Sequence, residues 1–210
     1  MLPEIGEAGQ RKLNQSSVLI AGAGGLDLVA SLYLAEAGVI RIRLADADTV
    51  EYSNLHRQIL FTSADLNKPK AKSGRDRLLA QSPHILVDAI NTRLDSSTAP
   101  GLVKGYDVIL DCSDNYPTRY LLYDLYVHYQ KPDVYGAVFH FEGQVSVFGA
   151  RTGPCYRCFP NYSTDQYRSW QAILRNFWHG AGSHRECDES GSFETVDRDW
   201  KFPFRPFTGI

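Results

Sequence analysis

The chain has 210 residues, enough for one α/β domain with a modest appendix, and its 43% hydrophobic and 22% charged residues are typical of a globular rather than a disordered protein. Its net charge of −2 gives no support for nucleic-acid binding, and no apolar run is long enough to cross a bilayer. The first residues do not resemble an export signal, and two of the four cysteines form a single C-x-x-C pair, which favours metal or redox use over a disulfide scaffold. The composition predicts a cytosolic protein.

A β-α-β pattern begins the periodic part of the chain. Residues 17–21 form a short apolar run that breaks into the glycine-rich turn at 22–25. A helical pattern follows over 26–37 and ends at Gly38, and residues 40–46 then alternate as a strand. Two strands joined by a helix within about thirty residues are expected to lie parallel, with a right-handed crossover.

The same alternation continues to about residue 150. Helices are predicted at 70–81 and 116–129, a short helix ends at 102–103, and strands are predicted at 85–90, 107–111, 133–138 and 143–149, the last at a sheet edge. Alternating strands and helices predict a doubly wound, mostly parallel α/β sheet of the Rossmann-like, nucleotide-binding type. Periodicity is lost after Pro154, where only a helix at 166–176 is expected. We therefore predict a nucleotide-binding domain over 1–160 and a divergent tail over 161–210.

The turn after the first strand has the pattern of a phosphate-binding loop with one change. Gly22 permits the tight turn and Gly24 lets the backbone approach phosphate, but Asp27 replaces the third glycine of G-x-G-x-x-G. Asp46, at the end of the second strand, can accept hydrogen bonds from ribose hydroxyls. Together they predict a nucleotide site. Asp27 leaves two interpretations open, since a carboxylate at a helix N-terminus stabilises the helix and also competes with phosphate.

Several motifs in order resemble the ThiF/MoeB/HesA family, the bacterial relatives of ubiquitin-activating enzymes. They are Gly22-Ala23-Gly24-Gly25-Leu26, Asp46-Ala47-Asp48-Thr49-Val50, Ser53-Asn54-Leu55-His56-Arg57-Gln58, Lys68-Pro69-Lys70-Ala71, Asp111-Cys112-Ser113-Asp114-Asn115, Glu142-Gly143-Gln144 and Pro154-Cys155-Tyr156-Arg157-Cys158. The resemblance covers roughly residues 3–160. It implies a Rossmann-like adenylation domain that uses ATP and Mg²⁺ to adenylate the C-terminal glycine of a ubiquitin-like sulfur-carrier protein, as in molybdopterin or thiamine synthesis, and a possible homodimer.

The resemblance also assigns roles to residues of this chain. The glycine loop (Gly22, Gly24 and Gly25) and Asp46 would hold the nucleotide, Asp46 through its ribose. Arg57 and Lys70 would hold phosphates as catalytic cations, with Asn54 and Gln58 assisting. Asp114 would bind Mg²⁺, and Asp48 is a weaker candidate near the nucleotide. Asp111 is interpreted as a cap for the loop that follows it, and Cys112 as a small buried residue rather than a nucleophile.

The cysteines near the end of the resemblance leave alternatives open. Cys155 and Cys158 have the spacing of half a structural zinc site, and the second C-x-x-C of the family is not found. His184 and Cys187 could complete a Cys-Cys-His-Cys set, or Cys187 could belong to the family's crossover loop, whose cysteine accepts sulfur or acyl groups in some branches. A third interpretation is a lone cysteine in a loosely ordered tail.

Two other classes of function compete with the adenylyltransferase. The sequence resembles a family member shortened at both ends, and with Asp27 in the loop this raises the alternative of a non-catalytic remnant or carrier-binding module of the same fold. The glycine loop alone would also permit an NAD-linked oxidoreductase. The motifs at 53–58 and 111–115 argue against that class.

Overall fold

The computed structural model describes residues 5–139 and 142–148, Tyr156, and the backbone of two short strands at 184–187 and 193–196. The chain divides into two compact units, Met1–Thr152 and Gly153–Ile210. Five helices and six strands belong to the described part of the first unit, and two strands to that of the second. The predicted division into domains at residue 160 stays a prediction.

Helices and strands alternate through the first unit. The helices are α1 (Gly6–Gln15), α2 (Gly25–Glu36), α3 (Lys70–Gln81), α4 (Ala99–Val103) and α5 (Tyr116–Tyr129), with 3₁₀ turns at Tyr52–Asn54 and Ser63–Asp65. The strands are β1 (Ser17–Ala21), β2 (Arg41–Ala45), β3 (Leu86–Ile90), β4 (Val108–Asp111), β5 (Asp133–Phe139) and β6 (Glu142–Phe148), and the second unit contains β7 (His184–Cys187) and β8 (Phe193–Val196).

The six strands of the first unit form one sheet in the order β3-β2-β1-β4-β5-β6. Neighbouring strands from β3 to β5 are parallel, and β6 pairs antiparallel with β5 at the edge. This confirms the predicted doubly wound, mostly parallel sheet and its edge strand. The strand order reverses between β1 and β4, and in open α/β sheets that point is where ligands bind.

Burial explains why the central strands form. All five residues of β1 are buried, as expected for a strand covered on both faces. On one face, α2 and α3 pack against the sheet so closely that a Cβ on Gly74 would lie 2.7 Å from Leu28 Cδ2 and 3.0 Å from Leu44 Cδ1. Leu28 and Leu44 belong to the apolar core cluster of the described residues, which fixes the helix N-termini relative to the strand ends.

The structure corrects the sequence prediction in two regions. Helix α1 spans ten residues before the first strand, where the periodicity of the sequence alone predicts no element. The second unit contains an antiparallel β7-β8 pair, where only a helix at 166–176 was expected. The His184–Cys187 segment, predicted as a source of zinc ligands, forms strand β7. The expected helix at 166–176 lies outside the described residues.

Asp133 is a buried carboxyl group at the start of β5. Asp133 is 2% exposed, and its Oδ1 has no hydrogen-bond partner within the described residues. Burial, with the nearby charge of Asp111, raises the pKa of Asp133 to about 8. The folded protein therefore holds this carboxyl group protonated at neutral pH, whereas the unfolded chain ionises it.

We expect the Asp133→Asn variant to gain stability relative to the parent as the pH rises. Because the folded pKa lies above the unfolded one, the parent loses stability between about pH 4 and pH 8, by up to about 1.4 kcal/mol per pH unit for one proton. The amide cannot ionise, so its stability curve lacks this slope. Urea unfolding from pH 5 to pH 9 measures the difference. Asp76→Asn, at an exposed carboxylate on α3, is the control, and parallel curves for parent and Asp133→Asn would contradict the prediction.

Candidate functional site

The carboxyl ends of three adjacent strands, β2, β1 and β4, carry most of the predicted site. Asp46 follows β2, the turn at 22–25 follows β1, and the loop at 111–115 ends β4. Because the three strands are parallel neighbours, these segments lie together at one end of the sheet. This end contains the point where the strand order reverses, the usual position of a ligand in such folds.

Asp46 anchors the glycine turn. Its Oδ2 accepts a hydrogen bond from the Ala23 N–H at 2.7 Å, and its Oδ1 accepts one from the Asp48 N–H at 2.7 Å. Gly22, at φ +125°, has a conformation that other residues rarely adopt and turns the chain toward this contact. Burial raises the pKa of Asp46 while the two N–H groups oppose the shift. Each carboxylate oxygen retains a lone pair for a further donor, such as a hydroxyl group.

Asp27 turns back from the first turn of α2 into the glycine loop. Its Oδ2 accepts a hydrogen bond from the Gly24 N–H at 2.8 Å, and a Cβ on Gly22 or Gly24 would lie 2.8 or 3.0 Å from the same oxygen. The residue is 4% exposed, and its Oδ1 has no partner within the described residues. Burial is the main reason that the pKa of Asp27 is raised to about 7. The Gly24 N–H opposes this rise, and the negative charge of Asp46 adds to it.

The segment at 54–58 packs against the glycine loop. A Cβ on Gly25 would lie 3.0 Å from the Arg57 carbonyl oxygen, and one on Gly24 would lie 3.9 Å from Gln58 Nε2. Asn54 Oδ1 accepts a hydrogen bond from Arg57 Nη2 at 2.8 Å and a longer one from Gln58 Nε2 at 3.5 Å. Asn54 and Gln58 are buried, and Arg57 is exposed. The side-chain amides of Asn54 and Gln58 therefore position the 54–58 segment beside the glycine loop, and the Arg57 guanidinium reaches solvent there.

Lys70 begins α3 next to Asp46. Its Nζ lies 3.0 Å from Asp48 Oδ2, and its N–H donates to the Asp48 carbonyl at 2.8 Å. The Lys70 side chain is 9% exposed and that of Asp48 is 72% exposed. Lys70 also opposes the rise in the pKa of Asp46. The buried ammonium group is thus held at the edge of the site by a carboxylate that is largely in water.

Asp111 and Asp114, in the loop after β4, have different environments. Asp111 is buried, and its Oδ1 accepts hydrogen bonds from the N–H and the hydroxyl of Ser113, which confirms its interpretation as a cap. Asp114 is exposed, and its Oδ1 accepts only a long bond of 3.5 Å from Asn115 Nδ2 among the described contacts. Cys112 is half-buried, and burial raises the pKa of its thiol, as expected for a residue that is not a nucleophile.

Arg119 is a structural element of the site that the sequence prediction missed. Its Nε donates to the Ser113 carbonyl at 2.9 Å and its Nη1 to the Tyr135 hydroxyl at 3.0 Å, so that it ties the 111–115 loop to β5. Its guanidinium also lies 5.0 Å from the centre of the Tyr135 ring. An arginine in the first turn of the helix that follows the motif is the signal that could have identified it.

The donor groups present are compatible with one magnesium ion and leave zinc untested. Within the described residues, no three His, Cys, Asp or Glu side chains lie together as a metal cluster. Mg²⁺ usually takes only one or two protein carboxylates and completes its shell with water and phosphate, so the exposed Asp114 fits it. Cys155 and Cys158, the predicted half of a zinc site, lie outside the described residues. No helix in the described ranges has the length and apolar character of a membrane span.

Comparison with known proteins supports the resemblance found in the sequence. The model of the ThiF family matches residues 1–196, farther than the motifs alone had indicated. The chain is 46% identical over 166 residues to the sulfur carrier protein adenylyltransferase of Thermus thermophilus and 49% identical over 158 residues to the adenylyltransferase and sulfurtransferase MOCS3 of Drosophila yakuba. These alignments cover 76% and 75% of this chain, but 61% and 35% of the relatives.

A solved structure of Escherichia coli MccB, in complex with succinimide, has the same fold. Its TM-score is 0.66 at 26% sequence identity, and the match covers 80% of this chain and 49% of that protein. The chain therefore spans only part of the length of these relatives.

Proposed function

Because the chain belongs to the ThiF family, we propose that it is an ATP-dependent adenylyltransferase that activates the C-terminal glycine of a ubiquitin-like sulfur-carrier protein. The observation that carries the proposal is the convergence of the glycine loop, Asp46, Lys70 and Asp114 around the carboxyl ends of β2, β1 and β4. Since the chain spans 61% and 35% of two curated relatives, the activity, the substrate and the partner are all part of the proposal.

The proposed reaction is a displacement at phosphorus. A carboxylate oxygen of the carrier's C-terminal glycine attacks the α-phosphorus of ATP and forms an acyl-phosphate bond. The bond between the α-phosphorus and the oxygen that bridges to the β-phosphate breaks, and pyrophosphate leaves with that electron pair. Both the nucleophile and the phosphates are anionic, so neutralising cations and accurate positioning are the main requirements.

The residues of the site suit those requirements. Asp46, fixed by two backbone N–H groups, is proposed to accept from the ribose hydroxyls. Arg57 and Lys70 are proposed to neutralise phosphate oxygens, the first with a planar fork and the second with a compact charge. Asp114 is proposed to hold Mg²⁺, which would supply further positive charge at the phosphates when bound. Lys70 would exchange part of its contact with Asp48 for a phosphate oxygen.

The finer parts of the proposal concern partners. Two relatives carry sulfur carrier protein adenylyltransferase or sulfurtransferase in their names, which supports a sulfur-carrier protein as the substrate. The molybdopterin or thiamine type of that carrier stays a prediction. A homodimer and a zinc ion at Cys155 and Cys158 remain predictions, and so does a cytoplasmic location.

A thermal-shift titration with ATP and Mg²⁺ is the first test, because a ligand that binds only the folded state raises its melting temperature by mass action. A saturable shift would be followed by ATP–pyrophosphate exchange with the sulfur-carrier protein of Thermus thermophilus. The same carrier without its C-terminal glycine is the control. Exchange that depends on that glycine is the expected result, and ATP binding without any exchange would contradict the proposed activity.

A non-catalytic carrier-binding module of the same fold is the second candidate. The observation that favours it is the pair of loop N–H groups, those of Ala23 and Gly24, that already donate to carboxylates of the chain itself. In that case the carrier would bind to the immobilised chain without ATP, and the carrier's affinity would not change when ATP and Mg²⁺ are added.

A further inference from the structure

We infer that Asp27 is a specificity-determining residue of the nucleotide site, because its carboxyl group occupies the position in the glycine loop that a nucleotide phosphate would take. The inference rests on the proposed function, since it assumes that this loop receives a nucleotide. It assigns to Asp27 an effect on phosphorylated ligands that neither the family match nor the names of the relatives imply.

The geometry of the loop is the first step. Glycines at positions 22 and 24 leave room beside the backbone, and in this chain that room contains Asp27 Oδ2, within 3.0 Å of both hypothetical Cβ atoms. The Gly24 N–H, which points into this space at the N-terminus of α2, already donates to that oxygen at 2.8 Å. A phosphate oxygen would need the same space and the same donor. The internal carboxyl group therefore replaces an external anion.

The second step is the unsatisfied half of the carboxyl group. Asp27 is 4% exposed, and its Oδ1 is buried without a partner in the described part of the chain. The bond from the Gly24 N–H to Oδ2 caps α2. A buried carboxyl oxygen without a donor is costly, so capping accounts for only one of the two oxygens. We expect the Asp27 carboxyl group to change its protonation or its position when a phosphate enters the loop.

The groups around Asp27 determine its charge. Burial has the largest effect on the pKa of Asp27. The Gly24 N–H and the Cys112 thiol, after β4, favour the carboxylate, and the charge of Asp46, after β2, repels it. The positive charge of Lys70, on α3, acts to lower the pKa of Asp46 and is not among the groups that shift the pKa of Asp27. These surroundings raise the pKa of Asp27 to about 7, mainly through burial. Above that pH the carboxylate repels phosphate, and below it the neutral acid does not.

The ligand discrimination follows from the position of Asp46. A ribose held by Asp46 lies next to the Ala23 N–H, so that the α-phosphate is the anionic group of a nucleotide nearest to the loop. Adenosine has no phosphate and avoids the conflict, whereas AMP and ATP must meet it. Asp27 therefore selects against phosphate at this point of the site, and more strongly as the pH rises.

The test compares three probes, adenosine, AMP and ATP with Mg²⁺, by calorimetric titration of the parent chain and the Asp27→Asn variant at pH 6 and pH 8. At pH 8 the variant is expected to bind AMP and ATP about 10- to 100-fold more tightly than the parent does, because a like charge has been removed at contact distance. Adenosine affinity is expected to change by less than about twofold. At pH 6 the difference for AMP should shrink.

Two further variants control the comparison. Asp27→Gly removes the whole side chain from the loop and is used in place of Asp27→Asn if that variant does not fold. Asp76→Asn removes one negative charge at the exposed side of α3. Equal binding of all three probes by parent and variants would overturn the inference while nucleotide binding stands. An equal gain for adenosine and AMP would also overturn it, because the effect would be steric. If no folded protein binds even adenosine, the proposed function fails and the inference fails with it.

Discussion

The Lys70→Met variant is expected to lose carrier-dependent ATP–pyrophosphate exchange by about 10²- to 10³-fold, the usual loss when one preorganised stabilising group is removed from a site. Methionine retains the apolar stem of this buried side chain and deletes only the ammonium group, so the fold is expected to be preserved. Initial exchange rates at saturating ATP and carrier measure the effect. Asp48, the present partner of Lys70, is largely exposed and bears little cost when it loses its ion pair.

Two further variants distinguish the effect of the Lys70 charge on the exchange rate from the effects of neighbouring charges. Lys72→Met, an exposed lysine two residues further along the same helix, is expected to retain the parent rate within about twofold, since an exposed charge off the site is screened. Asp48→Asn is expected to have a smaller loss than Lys70→Met, because it leaves the ammonium group present but less well held. A Lys70→Met rate close to that of the parent would show that phosphate neutralisation does not depend on this residue.

The parts of the fold that the sequence predicted are those in which burial alone determines structure. The apolar run at 17–21, with every residue buried, was recognisable as a central strand, and the alternation at 40–46 identified its neighbour. Several element ends differed by one residue because backbone contacts set them, as where α2 begins at Gly25 rather than Leu26. Strands β7 and β8, with four residues each, were missed because so short a segment has no period to recognise.

The site was predictable to the level of the segment, but not to the level of the contact. Parallel pairing places Asp46 beside the glycine turn, so their proximity could be inferred from the order of the elements. The Lys70–Asp48 ion pair joins residues 22 positions apart across an irregular loop, and no periodic pattern encodes it. For Asp27, the sequence left open whether the carboxylate only stabilises the helix or also interferes with a ligand. Its contact with the Gly24 N–H caps α2 and also lies in the loop itself, so it fits both interpretations, and the comparison of the parent with Asp27→Asn separates them.

These contacts have a common consequence for the charge distribution. The predicted phosphate-binding groups are already paired within the chain, Lys70 with Asp48 and Arg57 with Asn54, while the Gly24 N–H donates to Asp27. A nucleotide would therefore exchange internal contacts for external ones, and its net affinity would reflect the difference rather than the sum. Asp114 is the exception among the predicted residues, since it is exposed and makes only one long hydrogen bond among the described contacts.

For that reason the Asp114→Asn variant is expected to lose activity without losing stability. The exchange rate should fall by about 10²-fold at a Mg²⁺ concentration that suffices for the parent, because a neutral amide is a much weaker ligand for Mg²⁺ than a carboxylate is. Raising the Mg²⁺ concentration should recover part of the rate. The free energy of unfolding should stay within about 0.5 kcal/mol of the parent value, as is usual for an exposed residue with few contacts.

The neighbouring Asp111→Ala variant, which removes the acceptor of both Ser113 bonds, gives the opposite expectation and makes the comparison decisive. Asp111 is buried and holds both the N–H and the hydroxyl of Ser113, so its replacement is expected to disturb the loop and lower stability, with a loss of rate that added Mg²⁺ does not recover. If Asp114→Asn instead loses its rate at every Mg²⁺ concentration alike, Asp114 does not hold the ion. Its role would then be limited to shaping the loop, and the magnesium ligand must be sought on another segment.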